Sequence, residues 1–304
     1  MKKLGKKIIY SNYFLYWLIL SIYNYFFWYG NLLTNYYFEK RKFKKKLGYK
    51  LNLKNPRSFN EKVVYKKIYD RNPLLTKTSD KVAVRDYIRE VLGKKEGEKH
   101  LIPLLYVTDN PETIPFEKFP KDFIIKANHG SGWNIIIRDG KYNKKEIIKK
   151  CKTWLNTPHG LDKMEWAYKN VKRKILIEEL LLDEKGQVPK DYKFFVFDGK
   201  VKLVFIDFDR FENHTRSLFD ENWNHLNATL KYPIGKKIRK PKKFEKMKKI
   251  AEKLGEPFDH IRVDLYLIND NIYFGELTSY QGSGVQMIKP RSYDFELGKY
   301  WKIK

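Results

Sequence analysis

Two carboxylates sit where a strand pattern would normally carry apolar residues: Asp264 in Ile261-Arg262-Val263-Asp264-Leu265 and Glu276 in Tyr273-Phe274-Gly275-Glu276-Leu277-Thr278. A hairpin turning at Asn269-Asp270-Asn271 sets them side by side on adjacent strands. Like charges in a sheet interior repel unless a cation lies between them. Hard oxygen ligands completed by nucleotide phosphates suit Mg2+. The plain alternative is two strand acids that face water.

A second constellation lies upstream. Lys126 ends the strand-like stretch Phe123–Lys126, Gly130-Ser131-Gly132 follows, and Asn134–Arg138 is strand-like again. Glycines adopt φ > 0 and let backbone N–H groups approach a polyphosphate. A lysine beside them meets the same phosphates as a point charge. By itself the pattern is also an ordinary hairpin turn, and it lacks the G-x-x-x-x-G-K-[ST] of a Walker A loop. Glu178-Glu179-Leu180-Leu181 closes an apolar strand, Ile175–Leu180. Its acids could accept ribose hydroxyls and its backbone could read an adenine edge. An edge carboxylate facing water is the other reading.

The elements that must position these residues alternate irregularly. Ser58 and Glu61 form a capping box at the start of a helix over Phe59–Tyr69. The pattern predicts further helices over Asp80–Leu92, stopped by Gly93, over Lys144–Leu155, and over Lys242–Leu254, stopped by Gly255. Leu101–Thr108 reads as a strand, and Pro111, Pro115 and Pro120 punctuate a loop. Asp191–Phe197 and Lys200–Asp209 read as strands joined at Asp198-Gly199. Antiparallel strands with interspersed helices make this an α+β chain, not a βαβ repeat. No internal repeat or low-complexity segment is visible.

Composition bounds the partners. The 304 residues carry 63 Lys+Arg against 36 Asp+Glu, a formal net charge of +27. Such a surface attracts polyanions, whether nucleic acid, anionic lipid or acidic polysaccharide. Lysine greatly outnumbers arginine, which argues against specific nucleic-acid readout. Cys151 is the one cysteine, so no intramolecular disulfide can form, and it reads as a small core residue on a helix. The spacing of the six histidines excludes H-x-x-x-H and HExxH zinc motifs.

The N-terminus is distinct. After Met1–Lys7, the stretch Tyr13–Tyr29 is almost wholly apolar or aromatic, interrupted by Ser21 and Asn24, and the basic EKRKFKKK follows Phe38. No small-residue cleavage site marks a signal peptide. A spanning helix would be near the lower length limit. Aromatic residues between basic flanks favour a helix lying at an anionic interface. A helix packed on the body of the protein is the alternative.

Taken in order, LNLKNPRSFNEK, YDRNPLLTKTSDKVAVRDYI, KANHGSG, ILIEELL, DYKFFVFDGKV, DFDRF and GELTSYQGSG resemble the TupA-like ATP-grasp proteins associated with surface and capsular polysaccharides. The resemblance spans about Leu51 to Tyr293. It implies a three-lobed ATP-grasp fold of α+β class that uses ATP and Mg2+. The expected division is 1–45, a basic and aromatic helix associated with the membrane; 46–115, an N-terminal lobe; 116–180, a lid lobe with the glycine loop; and 181–304, a C-terminal lobe with the metal site.

The resemblance also implies roles. Gly130, Ser131 and Gly132 would cover the triphosphate, while Lys126 and Lys193 would neutralise its oxygens. Glu178 or Glu179 would lie by the ribose, and Leu180 and Leu181 at the adenine. Asp264 and Glu276 would hold Mg2+. Many ATP-grasp enzymes have Asn two residues after the metal glutamate; Thr278 stands there instead. Lys193 would act on the transferred phosphate; Arg262 would touch that phosphate or simply pair with a carboxylate; and His129 would lie in the phosphate loop, against the nucleotide or as a plain loop histidine. Asp207, Asp209, Arg210, His214, Arg216 and the turn Gln281-Gly282-Ser283-Gly284 are candidates for substrate contact.

The expected activity is carboxylate–amine ligation through an acyl phosphate. The suggested substrates are a uronic acid of an acidic polysaccharide and an amino acid, met at the cytoplasmic face of the membrane. Two other readings stand beside it. One is a sugar-nucleotide-dependent glycosyltransferase using Asp207-Phe-Asp209 as a D-x-D motif. The other is a non-catalytic basic protein that binds membrane or polyanion.

Overall fold

The computed structural model describes residues 13–209 and 213–303. In chain order the helices are α1 (Tyr13–Leu33), α2 (Tyr37–Leu47), α3 (Phe59–Tyr69), α4 (Pro73–Ser79), α5 (Val84–Leu92), α6 (Lys94–His100), α7 (Lys144–Asn156), α8 (Phe244–Gly255) and α9 (Arg291–Tyr300). The strands are β1 (Leu104–Thr108), β2 (Phe123–Ala127), β3 (Asn134–Ile137), β4 (Ile175–Glu179), β5 (Asp191–Phe197), β6 (Lys200–Phe208), β7 (Thr215–Asp220), β8 (His225–Leu226), β9 (Thr229–Leu230), β10 (His260–Ile268), β11 (Asn271–Thr278) and β12 (Ile288–Lys289). Helices and antiparallel strands are mixed, as expected for the α+β class. Two compact units divide the chain: residues up to Glu39 with Asp80–Val82 and Pro103–Leu180, and Lys40–Ser79 with Ala83–Ile102 and Leu181–Lys304.

The first unit is built on a four-stranded antiparallel sheet ordered β1-β4-β2-β3. Alternation in β2 turns Phe123, Ile125 and Ala127 inward, where they meet Ile175 and Ile177 of β4 and Ile147, Cys151 and Trp154 of α7. Asn143 caps α7 by accepting the Glu146 N–H.

Helix α1 also belongs to this unit. Trp28 packs on Leu161 and Met164, and Asn24 Oδ1 accepts the Asp162 N–H at 3.1 Å. The opposite strip is solvent-exposed: Ile22 61%, Phe26 60%, Tyr29 55% and Leu33 86%. Among the described residues no helix is long and apolar enough to cross a membrane. The aromatic run does not continue unbroken into the basic stretch. Asn35 and Tyr36 take positive φ, and Asn31 Oδ1 captures the Glu39 N–H, so a turn separates α1 from α2. Met1–Lys7 lies outside the described residues.

The second unit centres on a six-stranded antiparallel sheet ordered β11-β10-β5-β6-β7-β8. Two turns set its register. Asp198 and Gly199 have φ of 44° and 73°, Asn269 and Asp270 of 47° and 63°. Paired positive φ values are those of type I′ turns, whose twist matches that of the strands. One sheet face is covered by α8, with Phe244 against Phe194 and Trp223. On the other face, Phe195, Phe197 and His260 stack with Phe59 of α3 and Trp301. Helix α3 starts at the expected capping box: Ser58 accepts the Glu61 N–H, and Glu61 accepts the Ser58 N–H. Further along that face the aromatic packing gives way to charge.

Candidate functional site

Strand register assembles the charged row. Glu276 pairs with Asp264, Asp264 with Lys193, and Lys193 with Phe205, across β11, β10, β5 and β6. Residues two apart on a strand share a face. Arg262, Asp191 and Asp207 therefore join the row, and Arg216 enters as the partner of Asp207 on β7.

The Arg262 guanidinium is the hub. Its Nε donates to Asp264 Oδ1 at 2.6 Å, and its Nη2 to Asp264 Oδ2 at 2.7 Å and Glu276 Oε1 at 2.5 Å. Its Nη1 donates to Gln281 Oε1 at 2.5 Å. Thr278 Oγ1 donates to the same Glu276 oxygen at 3.1 Å. Lys193 Nζ pairs most closely with Asp191 and lies 3.5 Å from Asp207 Oδ2 and 4.0 Å from Asp264 Oδ2. Beneath them the Phe205 ring receives Arg216 at 3.9 Å, Lys193 at 5.5 Å and Arg262 at 5.9 Å.

The floor of this cluster is dry and one wall is wet. Asp264 and Arg262 are buried, whereas the Glu276 side chain is 42% exposed. Burial opposes the charge on Arg262, but Asp264 and Glu276 outweigh it and move its pKa above the ordinary arginine value. Burial raises the Asp264 pKa, against the pull of Arg262 and Lys193. Burial also lowers the Lys193 pKa, against Asp264 and Asp207. Among the described residues no group of three or more His, Cys, Asp or Glu side chains is placed to hold a metal ion. The two converging carboxylates already share one cation, and the Thr278 hydroxyl beside Glu276 adds a third hard oxygen. That donor set fits a Mg2+ whose remaining ligands are phosphate and water oxygens.

The turn Gln281–Gly284 abuts the hub through Gln281, which also donates to Gln286 Oε1. Gly282, Ser283 and Gly284 all take positive φ, and buried Lys67 holds Ser283 by its carbonyl and hydroxyl. Asp207 Oδ1 accepts from Arg216 Nε at 2.7 Å and pairs with His214 Nε2 at 2.9 Å. Asp209 does not accompany Asp207: it is exposed, with φ of 50°. Arg210 lies outside the described residues.

In the first unit, Lys126 on β2 bonds Glu178 on β4 at 2.7 Å, on the sheet face away from α7. The loop beyond has the expected glycines. A Cβ on Gly130 would fall 2.6 Å from the Trp133 ring, and Gly132 has φ of 70°. Lys81 Nζ donates to Gly130 O at 2.6 Å. Ser131 and Glu179 are exposed, and Leu180 and Leu181 are half-buried where the chain passes from one unit to the other.

His129 lies in the turn after β2, but its ring points into the protein. The ring is buried, with Nε2 at 3.1 Å from Trp154 O and 3.3 Å from Thr157 O. Burial, helped by Arg173, lowers its pKa to about 4 and keeps it neutral. The carbonyls at the end of α7 capture it, a tertiary contact that local sequence does not display. Reading the sequence also missed Asp191 and the part played by Gln281. Asp191 had a signal: with Lys193 it breaks an otherwise apolar strand at i and i+2.

The sequence model of one family, described as TupA-like ATPgrasp, matches residues 61–302. No curated protein matches the chain in sequence. Among solved structures, D-alanine–D-alanine ligase from Bacillus anthracis is similar at 19% identity, with 67% of this chain and 57% of that chain covered and a TM-score of 0.40. The ATP-grasp ligase PsnB, complexed with a phosphomimetic variant of its minimal precursor, Mg and ADP, is similar at 13% identity, with 75% and 60% covered and a TM-score of 0.41. N5-carboxyaminoimidazole synthase from Aspergillus clavatus, in complex with ADP and 5-aminoimidazole ribonucleotide, is similar at 13% identity, with 67% and 44% covered and a TM-score of 0.35. The chain thus spans 57% of the length of the D-alanine ligase it matches.

Proposed function

Because the chain belongs to the TupA-like ATPgrasp family, we propose that it is an ATP-dependent ligase that joins a carboxylate to an amine through an acyl phosphate. The observation that carries this reading is the convergence of Asp264 and Glu276 on one guanidinium, with Lys193 on the next strand. When bound there, Mg2+ would draw charge from the phosphate oxygens.

The residues of the second unit have complementary tasks. Asp264 and Glu276, with Thr278 on the latter, present oxygens to the metal. Lys193 and Arg262 offset the charge that spreads over the phosphoryl group as it leaves the nucleotide. The turn Gly282–Gly284 is where the acceptor carboxylate is proposed to lie. In the first unit, Lys126 and the loop Gly130–Gly132 are proposed to meet phosphate oxygens. Glu178 and Glu179 are the proposed ribose acceptors, and Leu180 and Leu181 line the adenine. A closed glycine loop would keep water from the acyl phosphate.

Thermal shift and ADP release test this. The expected result is stabilisation by Mg-ATP but not by UDP- or GDP-sugars, lost in Glu276→Ala. Stabilisation by sugar nucleotides alone would support the glycosyltransferase reading. Against that reading, Asp207 is engaged by Arg216 and His214, and Asp209 stands apart from it.

The proposed acceptor is a uronic acid of an acidic polysaccharide and the proposed amine an amino acid, a substrate class consistent with a net charge of +27. We place the protein at the inner face of the cell membrane. The exposed strip Ile22-Phe26-Tyr29-Leu33 would lie among lipid headgroups, between the basic flanks of the sequence.

A further inference from the structure

We propose that His214 is the general base of the ligation, taking a proton from the incoming ammonium group, and that Asp207 is the positioning residue that fixes its tautomer. The proposal rests on the ligase reading above and adds to it the group that makes the amine a nucleophile.

The geometry begins with the carboxylate. Asp207 is buried on β6, and its Oδ1 lies 2.7 Å from Arg216 Nε and 2.9 Å from His214 Nε2. Burial disfavours the Asp207 charge, but the hydrogen bond and charge of Arg216 outweigh it and hold the carboxyl below its ordinary pKa. An ionised carboxylate accepts hydrogen bonds and donates none. The short contact therefore requires the proton on Nε2. In the neutral ring this leaves the lone pair on Nδ1, the nitrogen that can take a proton.

The ring is held but reachable. It stacks on Tyr232 with centroids 3.6 Å apart and planes at 19°. The His214 side chain is 20% exposed, against 5% for Asp207. The charged and titratable groups around it are Asp207, Arg216, Lys193, Tyr232 and Lys231, whose Nζ donates to the Tyr232 hydroxyl. The dyad also belongs to the same sheet face as the proposed metal site. Lys193 Nζ lies 3.5 Å from Asp207 and 4.0 Å from Asp264. β6 and β10 are two strands apart, which is about 10 Å. A substrate amine can bridge that span to an acyl group activated beside Asp264.

Three of the other described histidines are held neutral: burial lowers His159 and His260 to about 3 and His129 to about 4.

The step balances without a further reagent. The ammonium N–H gives its proton to Nδ1 and keeps the electron pair as a lone pair on nitrogen. That pair forms the new N–C bond at the acyl carbonyl. The bond between the acyl carbon and the phosphate oxygen breaks, and inorganic phosphate leaves with the electrons, taking the second proton from nitrogen so that a neutral amide and hydrogen phosphate result. The imidazolium, paired with Asp207, returns its proton to solvent.

Two measurements test the assignment, and the first needs no substrate. Long-range 1H–15N correlation of histidine-labelled protein, assigned against His214→Asn, should show a protonated Nε2 and a bare Nδ1 at His214, with the preference lost in Asp207→Asn. The opposite tautomer overturns the proposal.

The second compares two amines with Mg-ATP and an oligoglucuronate as the carboxylate: glycine, protonated at pH 7, and hydroxylamine, largely unprotonated there. His214→Asn should lower the ratio of amide to hydroxamate formation roughly 100-fold at pH 7, and the deficit should shrink as pH rises towards the glycine pKa. An unchanged ratio overturns the role of His214 while leaving the ligase reading intact. Wild-type protein that releases no ADP under either condition overturns that reading, and this proposal with it.

Discussion

Phe205 carries no charge, yet three cations lie over it. Its ring lies beneath Arg216, Lys193 and Arg262, and its negative face lets them gather with fewer acids than a bare site would need. Phe205→Leu keeps most of the apolar volume and removes that face. The expected cost is about 1–2 kcal/mol in urea unfolding, with Mg-ATP affinity by calorimetry falling roughly tenfold, a loss of about 1.4 kcal/mol.

Arg262→Ala should be worse for stability. It leaves the buried Asp264 beside Glu276 without the shared fork, at a cost of about 3 kcal/mol. Mg-ATP should restore part of that in a thermal melt, because a cation would again separate the acids. A variant as stable as the wild type would show that the fork is dispensable.

Three histidines whose charge the fold disfavours set a pH limit. His129, His159 and His260 have folded pKa values of about 4, 3 and 3, below the ordinary 6.5. Above pH 6.5 they are neutral in both states and contribute no pH dependence. As pH falls below 6.5 the unfolded chain takes up protons that the folded one resists. Stability then drops by up to about 1.4 kcal/mol per pH unit for each histidine, until the folded pKa is reached. Urea unfolding at pH 7.5 and pH 5 should show this loss, and equal stability at both would contradict the burial.

Among the elements, those written in local chemistry were legible. The capping box at Ser58 and Glu61 and the turn at Asp198-Gly199 stand where the sequence put them, and Phe59–Tyr69 matches residue for residue. Helix α5 begins at Val84, not Asp80: Asp80–Ala83 form a turn, with the Lys81 N–H donated to Asn128 O, far away in sequence, and the Val82 N–H to Asp80 Oδ1. The seven-residue helices α4 and α6 were not read: a helix so short has no periodicity to display. The acids of the site were legible as charges inside apolar strands. Their convergence on Arg262 was not, since it depends on register between strands that only folding sets. Asp207-Phe-Asp209 shows the limit of motif spacing: its two acids part because Asp209 leaves the strand in a left-handed conformation.

Two substitutions check the element-level account. Gly199→Ala meets Glu256 only at ordinary contact distance, 3.6 Å or more, so backbone strain should account for its cost of about 1–2 kcal/mol. Gly298→Ala places a Cβ 2.0 Å from the Arg57 carbonyl and should cost about 3 kcal/mol through forced displacement of α9. Chemical denaturation that ranks Gly199→Ala as the costlier would reverse that account.

For the molecule as a whole, an excess of positive charge coexists with a solvent-facing aromatic strip. Neither feature alone holds a protein firmly on lipid, but together they supply insertion and attraction. Phe26→Asp with Tyr29→Asp alters side chains that are 60% and 55% exposed, so the fold should survive. Co-sedimentation with phosphatidylglycerol vesicles should fall at least tenfold, and raised salt should weaken wild-type binding. Wild-type protein that ignores the vesicles would remove membrane attachment from the proposal.

The docking of α1 on Leu161 and Met164 has a consequence in time. The helix is complete at Leu33, and its seat is made only after about 130 more residues. At ribosomal speeds of roughly 5–20 residues per second the wait is about 6–26 seconds. Throughout that interval both sides of the newborn helix are uncovered, so a lipid surface or chaperone can engage it before the rest of the polypeptide competes.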